Sequence, residues 1–254
     1  MKTVKFEVKD GIGRIVLNRP EVGNAFNKDM LLELKYLAES LRDKKDLRVV
    51  VIEGEGKHFC AGGDLNWMKE MGESKYSENF EDAQTLYDTY LAIENIPVPV
   101  ISKVKGAVRG GGMGILSVSD IVIAQRGATF SFSEVKLGLV PSVVSSFALR
   151  RIGFSKARRF FLTGEVFDVE KAKEIGLVDE IAGEGELDEF CDRFVKAILS
   201  NKPEAVRKTK ELLRIYRPFY SECYREITSH ILATTRMGEE ALEGIREFLE
   251  RKTK

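Results

Sequence analysis

Three segments of this 254-residue chain concentrate the residue types that chemistry uses: Phe59-Cys60-Ala61-Gly62-Gly63-Asp64-Leu65, Gly106–Gly114 and Ser133-Glu134-Val135. The first two share a logic. Each follows an apolar, β-branched run, is poor in side chains and precedes a helical pattern. Glycine lets a ligand come close to the backbone and adopts φ > 0 without strain. A following helix aims free N–H groups and the positive end of its dipole back at the loop. Two such loops converging on one point would make an anion hole from two backbone N–H donors. Taken singly, each is equally readable as a tight turn.

Most of the 40 acidic side chains belong to solvent. Glu134 differs because it follows a strand-like run and Ser133, a residue type that starts helices. It also precedes Val135-Lys136-Leu137-Gly138-Leu139-Val140-Pro141, apolar enough to bury it. A buried carboxyl has a raised pKa and can serve as a general base; the alternative is an ordinary helix-start glutamate. Other chemistries lack their signatures. Gly56-Lys57 is followed by His58, with Val51 where a P-loop needs its first glycine. Gly110-Gly111-Gly112-Met113-Gly114-Ile115 fails the dinucleotide fingerprint at its last position, which disfavours a doubly wound nucleotide-binding module. No serine sits in a nucleophile elbow. His58 reads as a surface or supporting residue. Two histidines and three cysteines without ligand spacing point to free thiols and no metal site.

These segments need a scaffold, and the chain is long enough to bury one without disulfides. Asp10-Gly11 between Val4–Val8 and Ile12–Leu17 signals a hairpin. Lys28–Leu41 repeats apolar residues at helical spacing, whereas Arg48–Glu53 carries the continuous β-branched run of a strand buried on both faces. The alternation repeats: helix Phe80–Asn95, strand Val98–Val104, loop Gly106–Gly112, helix Met113–Val118, then strands Asp120–Ala124 and Thr129–Phe132. Beyond Phe154 helical patterns dominate (Lys156–Leu162, Val169–Ile175, Leu187–Leu199, Glu204–Ile215, Glu239–Leu249), interrupted by Val178–Ile181. This predicts a layered α/β fold with a segregated helical end. Forty basic against forty acidic residues leave no excess for nucleic-acid binding. No apolar run reaches the ~18 residues of a membrane span, and the chain enters a strand pattern with no secretory segment, so a cytoplasmic location is expected.

The glycine segments, Asp120-Ile121 and Ser133-Glu134-Val135-Lys136-Leu137-Gly138-Leu139-Val140-Pro141 together resemble the enoyl-CoA hydratase/isomerase (crotonase) superfamily. Asn18-Arg19-Pro20 with Asn24-Ala25, and Leu162-Thr163-Gly164-Glu165, extend the resemblance over about residues 4–185. It implies an α/β fold built as a crotonase-like spiral of ββα units over residues 1–200. A C-terminal helical region, 201–254, would serve as lid and trimerisation element. It further implies a coenzyme A thioester substrate, no separate cofactor, and a homotrimer or homohexamer. Gly63 and Gly111 fall on the family's two oxyanion-hole donors, and Glu134 aligns with its catalytic glutamate. Ala61, Asp64, Leu65 and Asn66 would line the acyl-CoA cleft, with Ala25 in the neighbouring CoA-binding segment.

Two departures matter. Two-glutamate hydratases carry a second glutamate two positions after the triple glycine, where this chain has Gly114. Glu21 stands where many relatives have a base. The segment Phe59–Met68 and Leu139-Val140-Pro141 look most like the methylglutaconyl-CoA hydratase branch. The expected activity is hydration of a short or branched 2-enoyl-CoA. A single-base Δ3,Δ2-enoyl-CoA isomerase and a non-catalytic acyl-CoA-binding protein are the alternatives.

Overall fold

The computed structural model describes residues 1–215 and 222–252. The chain opens with β1 (Val4–Lys9) and β2 (Ile12–Leu17), then α1 (Lys28–Ser40), β3 (Val49–Gly54), α2 (Leu65–Glu73) and α3 (Tyr76–Glu94). Next come β4 (Val100–Val104), β5 (Ala107–Arg109), α4 (Gly111–Val118), β6 (Ile121–Gln125) and β7 (Thr129–Ser131). A 3-10 turn at Glu134–Leu137 leads to α5 (Ser142–Ile152), α6 (Phe154–Thr163), β8 (Phe167–Asp168), α7 (Val169–Glu174) and β9 (Glu180–Ala182). Among the described residues four helices follow: α8 (Leu187–Ser200), α9 (Pro203–Ile215), α10 (Glu222–Arg236) and α11 (Glu239–Lys252).

The strands form a 6-stranded sheet ordered β1-β2-β3-β4-β6-β9 and a 3-stranded sheet ordered β5-β7-β8. The hairpin turn places Asp10 and Gly11 both at positive φ (52° and 79°), the tight-turn geometry an Asp-Gly pair favours. From β2 onward the large sheet is parallel. Val49, Val50, Val51 and Ile52 are fully buried because β3 is covered on both faces. Val50 and Ile52 face the core shared with Leu31, Leu34, Ala83 and Ile93 of α1 and α3. Val49 and Val51 pack with Ile101 and Ile123 against Leu187, Cys191 and Val195 of α8.

The tail helices are tied to the core by ionic contacts. Lys210 Nζ donates to Asp120 Oδ2 at 2.6 Å and to the Val98 carbonyl at 2.8 Å. Arg225 grips Asp88 with two hydrogen bonds of 2.7 and 2.9 Å. A buried pair, Arg236 Nη1 to Asp82 Oδ2 at 2.7 Å, joins α10 to α3.

The structure corrects the sequence-based outline in four places. The loop expected over Gly106–Gly112 contains β5 and the start of α4, which begins at Gly111 rather than Met113. The strand near Val178 lies at Glu180–Ala182, because Val178 still donates back to Ala172 of α7 and the chain first reaches β6 where Asp179 donates to the Val122 carbonyl. Helix α5 follows Pro141 without any expectation from the sequence; its serine-rich start (Ser142, Ser145, Ser146) masks the apolar stripe of Val143, Val144, Phe147 and Ala148. Ser133 starts only a short 3-10 helix, not an α-helix: its side chain makes no cap bond, and the turn stops at Gly138, φ 69°.

Candidate active site

The two glycine loops meet. Cys60 runs alongside β5, its N–H donating to the Ala107 carbonyl (3.2 Å) and its carbonyl accepting from Arg109 (2.9 Å). Phe26 braces the other side of the first loop: its N–H donates to Gly62 O at 2.8 Å and its carbonyl accepts from Asp64 at 2.7 Å. That pairing skips Gly63, whose N–H donates to no described residue. Gly111 is the first residue of α4, so its N–H is one of the helix's unpaired donors. The Phe26 ring lies against it; a Cβ on Gly111 would come within 2.8 Å of Phe26 Cδ2. Both loops reach this geometry through glycines at positive φ, Gly62 (109°) and Gly110 (43°), where a side chain would be strained.

Glu134 enters from β7 and the 3-10 turn. Its Oε1 would lie 3.6 Å from a Cβ on Gly110, beside the Gly110–Gly111 peptide. Its Oε2 is sealed from solvent and has no hydrogen-bond partner among the described residues. Burial, only partly countered by its own backbone N–H, pushes its pKa up to about 7. Such a carboxyl is poised to exchange a proton near neutrality.

Around these groups lies a cavity of about 710 Å³. Ala25, Ala61, Gly63, Asp64, Leu65, Asn66, Gly111 and Glu134, all singled out from the sequence, line this one space. Helices α10 and α11 close part of it with Leu232, Arg236, Phe248 and Leu249, contributions no motif announced. Asp64 caps α2, accepting from the Asn66 and Trp67 N–H groups, and pairs with Arg19 Nη2 at 2.8 Å. Arg19 Nη1 also donates to the Ala25 carbonyl at 2.6 Å, so one guanidinium stitches two walls of the cleft together. Asn24 does similar work, donating to the Glu55 and His58 carbonyls at 2.9 and 2.8 Å. The Asn18-Arg19-Pro20 and Asn24-Ala25 motifs marked these residues without revealing what they hold.

Several residues fall outside the chemistry. His58 Nδ1 accepts from the Ala107 N–H at 3.0 Å, and burial together with Lys57 and Arg109 lowers its pKa, so it supports β5 as a neutral ring. Cys60 is fully buried and its thiol is pushed up to about 12, which removes it as a nucleophile. Asp120, of the Asp120-Ile121 motif, is committed to Lys210 and the Val100 N–H. Among the described residues no group of His, Cys, Asp and Glu could hold a metal ion, and no helix is long and apolar enough to cross a membrane.

Comparison with known proteins agrees with this architecture. An enoyl-CoA hydratase of Alternaria alternata is 33% identical over 239 residues, covering 94% of this chain and 78% of its own. The crystal structure of an enoyl-CoA hydratase from Shewanella pealeana matches at TM-score 0.82 and 34% identity, covering 98% of this chain and 94% of that one. A Mycobacterium paratuberculosis enoyl-CoA hydratase/isomerase shares the fold at TM-score 0.88 and 24% identity, covering 97% and 98%. The expected crotonase fold is therefore present. The family model for enoyl-CoA hydratase/isomerase matches residues 7–254, and the chain belongs to that family.

Proposed function

We propose that the protein hydrates a short or branched 2-enoyl-CoA, with 3-methylglutaconyl-CoA as one candidate substrate. One observation carries this reading: a buried carboxyl with one oxygen unpartnered among the described residues and a pKa of about 7 shares a cavity with two backbone N–H groups that donate to no described residue. The thioester carbonyl oxygen would accept from the Gly63 and Gly111 N–H groups. Glu134 would take a proton from water as the water oxygen bonds to Cβ. The resulting enolate is held by the two donors, which on the serine-protease precedent contribute ~3 kcal/mol each. Glu134 then returns the proton to Cα, closing the cycle. Ala25, Ala61, Asp64, Leu65 and Asn66 would shape the cleft for the CoA thioester. No separate cofactor enters any step.

Gly114 favours a second reading. With one carboxylate, the same site can move a proton between Cα and Cγ, which is Δ3,Δ2-isomerisation. We also read residues 1–200 as the spiral core and 201–254 as the lid and trimerisation region of a homotrimer or homohexamer in the cytoplasm. Crotonyl-CoA and 3-methylglutaconyl-CoA, followed by loss of conjugated absorbance, test hydration; a 3-enoyl-CoA, followed by its gain, tests isomerisation. Tight acyl-CoA binding without turnover of any of the three would identify a non-catalytic binder and refute both enzymatic readings.

A further inference from the structure

Gly114 leaves no void. Tyr90, from α3, occupies the room beside it: a Cβ on Gly114 would lie 2.5 Å from Tyr90 Cε1 and 2.6 Å from its Oη, inside the volume of the ring. The ring is fully buried and wedged edge-on against Phe147 of α5, centroids 5.4 Å apart. Its hydroxyl donates to the Gly111 carbonyl at 2.8 Å. Gly110, Gly111 and Gly112 are three consecutive residues of high backbone freedom. An oxyanion donor drawn from such a run needs outside restraint to be preorganised. Phe26 restrains Gly111 from one side and Tyr90 from another.

We propose that Tyr90 is a positioning residue: its hydroxyl pins Gly111 so that the N–H stays aimed at the substrate oxygen, and its ring makes this a one-carboxylate site. The proposal rests on the reading of Gly63 and Gly111 as oxyanion donors. Tyr90 does not line the cleft, so it acts through Gly111 and not on substrate. Burial, with Cys60 and Glu134 nearby, raises its pKa well above the ordinary phenol value, so it remains a neutral donor across the working pH range.

The test uses the full chain and two readouts. Tyr90→Phe keeps the ring and removes the donor. With crotonyl-CoA or whichever enoyl-CoA the wild type turns over, kcat should fall roughly tenfold, less than the ~10²–10³ that a lost oxyanion donor costs. KM should stay within about twofold, because a misaimed donor weakens transition-state binding more than ground-state binding. A Tyr90→Phe protein with a lower melting temperature but wild-type kcat overturns the positioning role. For the ring, Gly114→Ala should lower the melting temperature in the wild type and much less in a Tyr90→Leu background, where the atoms it meets are gone. Equal shifts in both backgrounds overturn the space-filling claim. Glu134→Gln is the control for the underlying site: if it and Tyr90→Phe both keep wild-type kcat, the site reading itself fails. If Glu134→Gln alone is inactive, only the Tyr90 proposal does.

Discussion

Glu134 and Asp82 are both buried carboxyls whose pKa burial raises, and they differ in company. Asp82 meets Arg236 at 2.7 Å, both side chains about 4% exposed, and that guanidinium lies over the Trp67 ring at 5.4 Å. Among the described residues Glu134 has no cation paired with it, and one of its oxygens has no hydrogen-bond partner. Coulomb attraction partly offsets the paired carboxyl's desolvation, and the pair ties α10, a wall of the cleft, to α3. The unpaired one keeps the cost of ionising, which makes its conjugate base strong enough to take a proton at neutral pH. Burial with a partner is architecture here, and burial without one is chemistry.

The largest effect should come from the chemical member. Glu134→Gln preserves size but cannot accept a proton, so kcat should fall by ~10²–10⁴-fold with KM nearly unchanged. Steady-state kinetics on an enoyl-CoA decide it; a kcat within threefold of wild type would remove Glu134 as the base. The architectural member should respond in stability instead. Asp82→Ala strands Arg236 in the interior and should cost about 3–5 kcal/mol of unfolding free energy. Denaturant melts measure that loss, while kcat per folded molecule should change less than about fivefold. A stable variant with abolished turnover would reverse the two assignments. A smaller, graded effect is expected with pH: kcat/KM should rise about tenfold per unit toward an inflection near about 7, because the base must be deprotonated. An inflection near the ordinary glutamate value would mean that Glu134 is solvated in the free enzyme.

The contrast between these carboxyls was only half legible in the sequence. Glu134 stood out because Ser133 precedes it and an apolar run follows, and the triple glycine announced a backbone-donor loop. Both are local patterns. Asp82 and Arg236 are 154 positions apart, and nothing in either neighbourhood marks them as a pair. The same holds for Tyr90 and Gly114: helix α3 was evident from its periodicity, but which side chain points at which glycine depends on how the helices pack. The parallel strands were readable because β3 is buried on both faces and opens with four β-branched residues, Val49–Ile52. In the small sheet β7 was legible as Thr129–Phe132, but β5 and β8 have three residues or fewer, too few for a period of two to emerge.

The smallest effect is the most specific to the unpaired carboxyl. Glu134 has a pKa of about 7 in the fold against an ordinary value of 4.5. Below the ordinary value both folded and unfolded chains hold the proton, and the group makes no pH-dependent difference. As the pH rises, the unfolded chain ionises first, so stability falls until the folded carboxyl also ionises near about 7. Above that the full cost persists, at most about 3 kcal/mol at ~1.4 kcal/mol per unit. Glutamine cannot ionise and escapes the cost. Glu134→Gln should therefore melt higher than wild type at about pH 8, by roughly 2–8 °C for a gain of about 1–2 kcal/mol in a chain of this size. At about pH 4.5 the gap should nearly close. A Glu134→Gln gap independent of pH would mean that glutamine simply packs better, and that the Glu134 carboxyl carries no stored cost of ionisation.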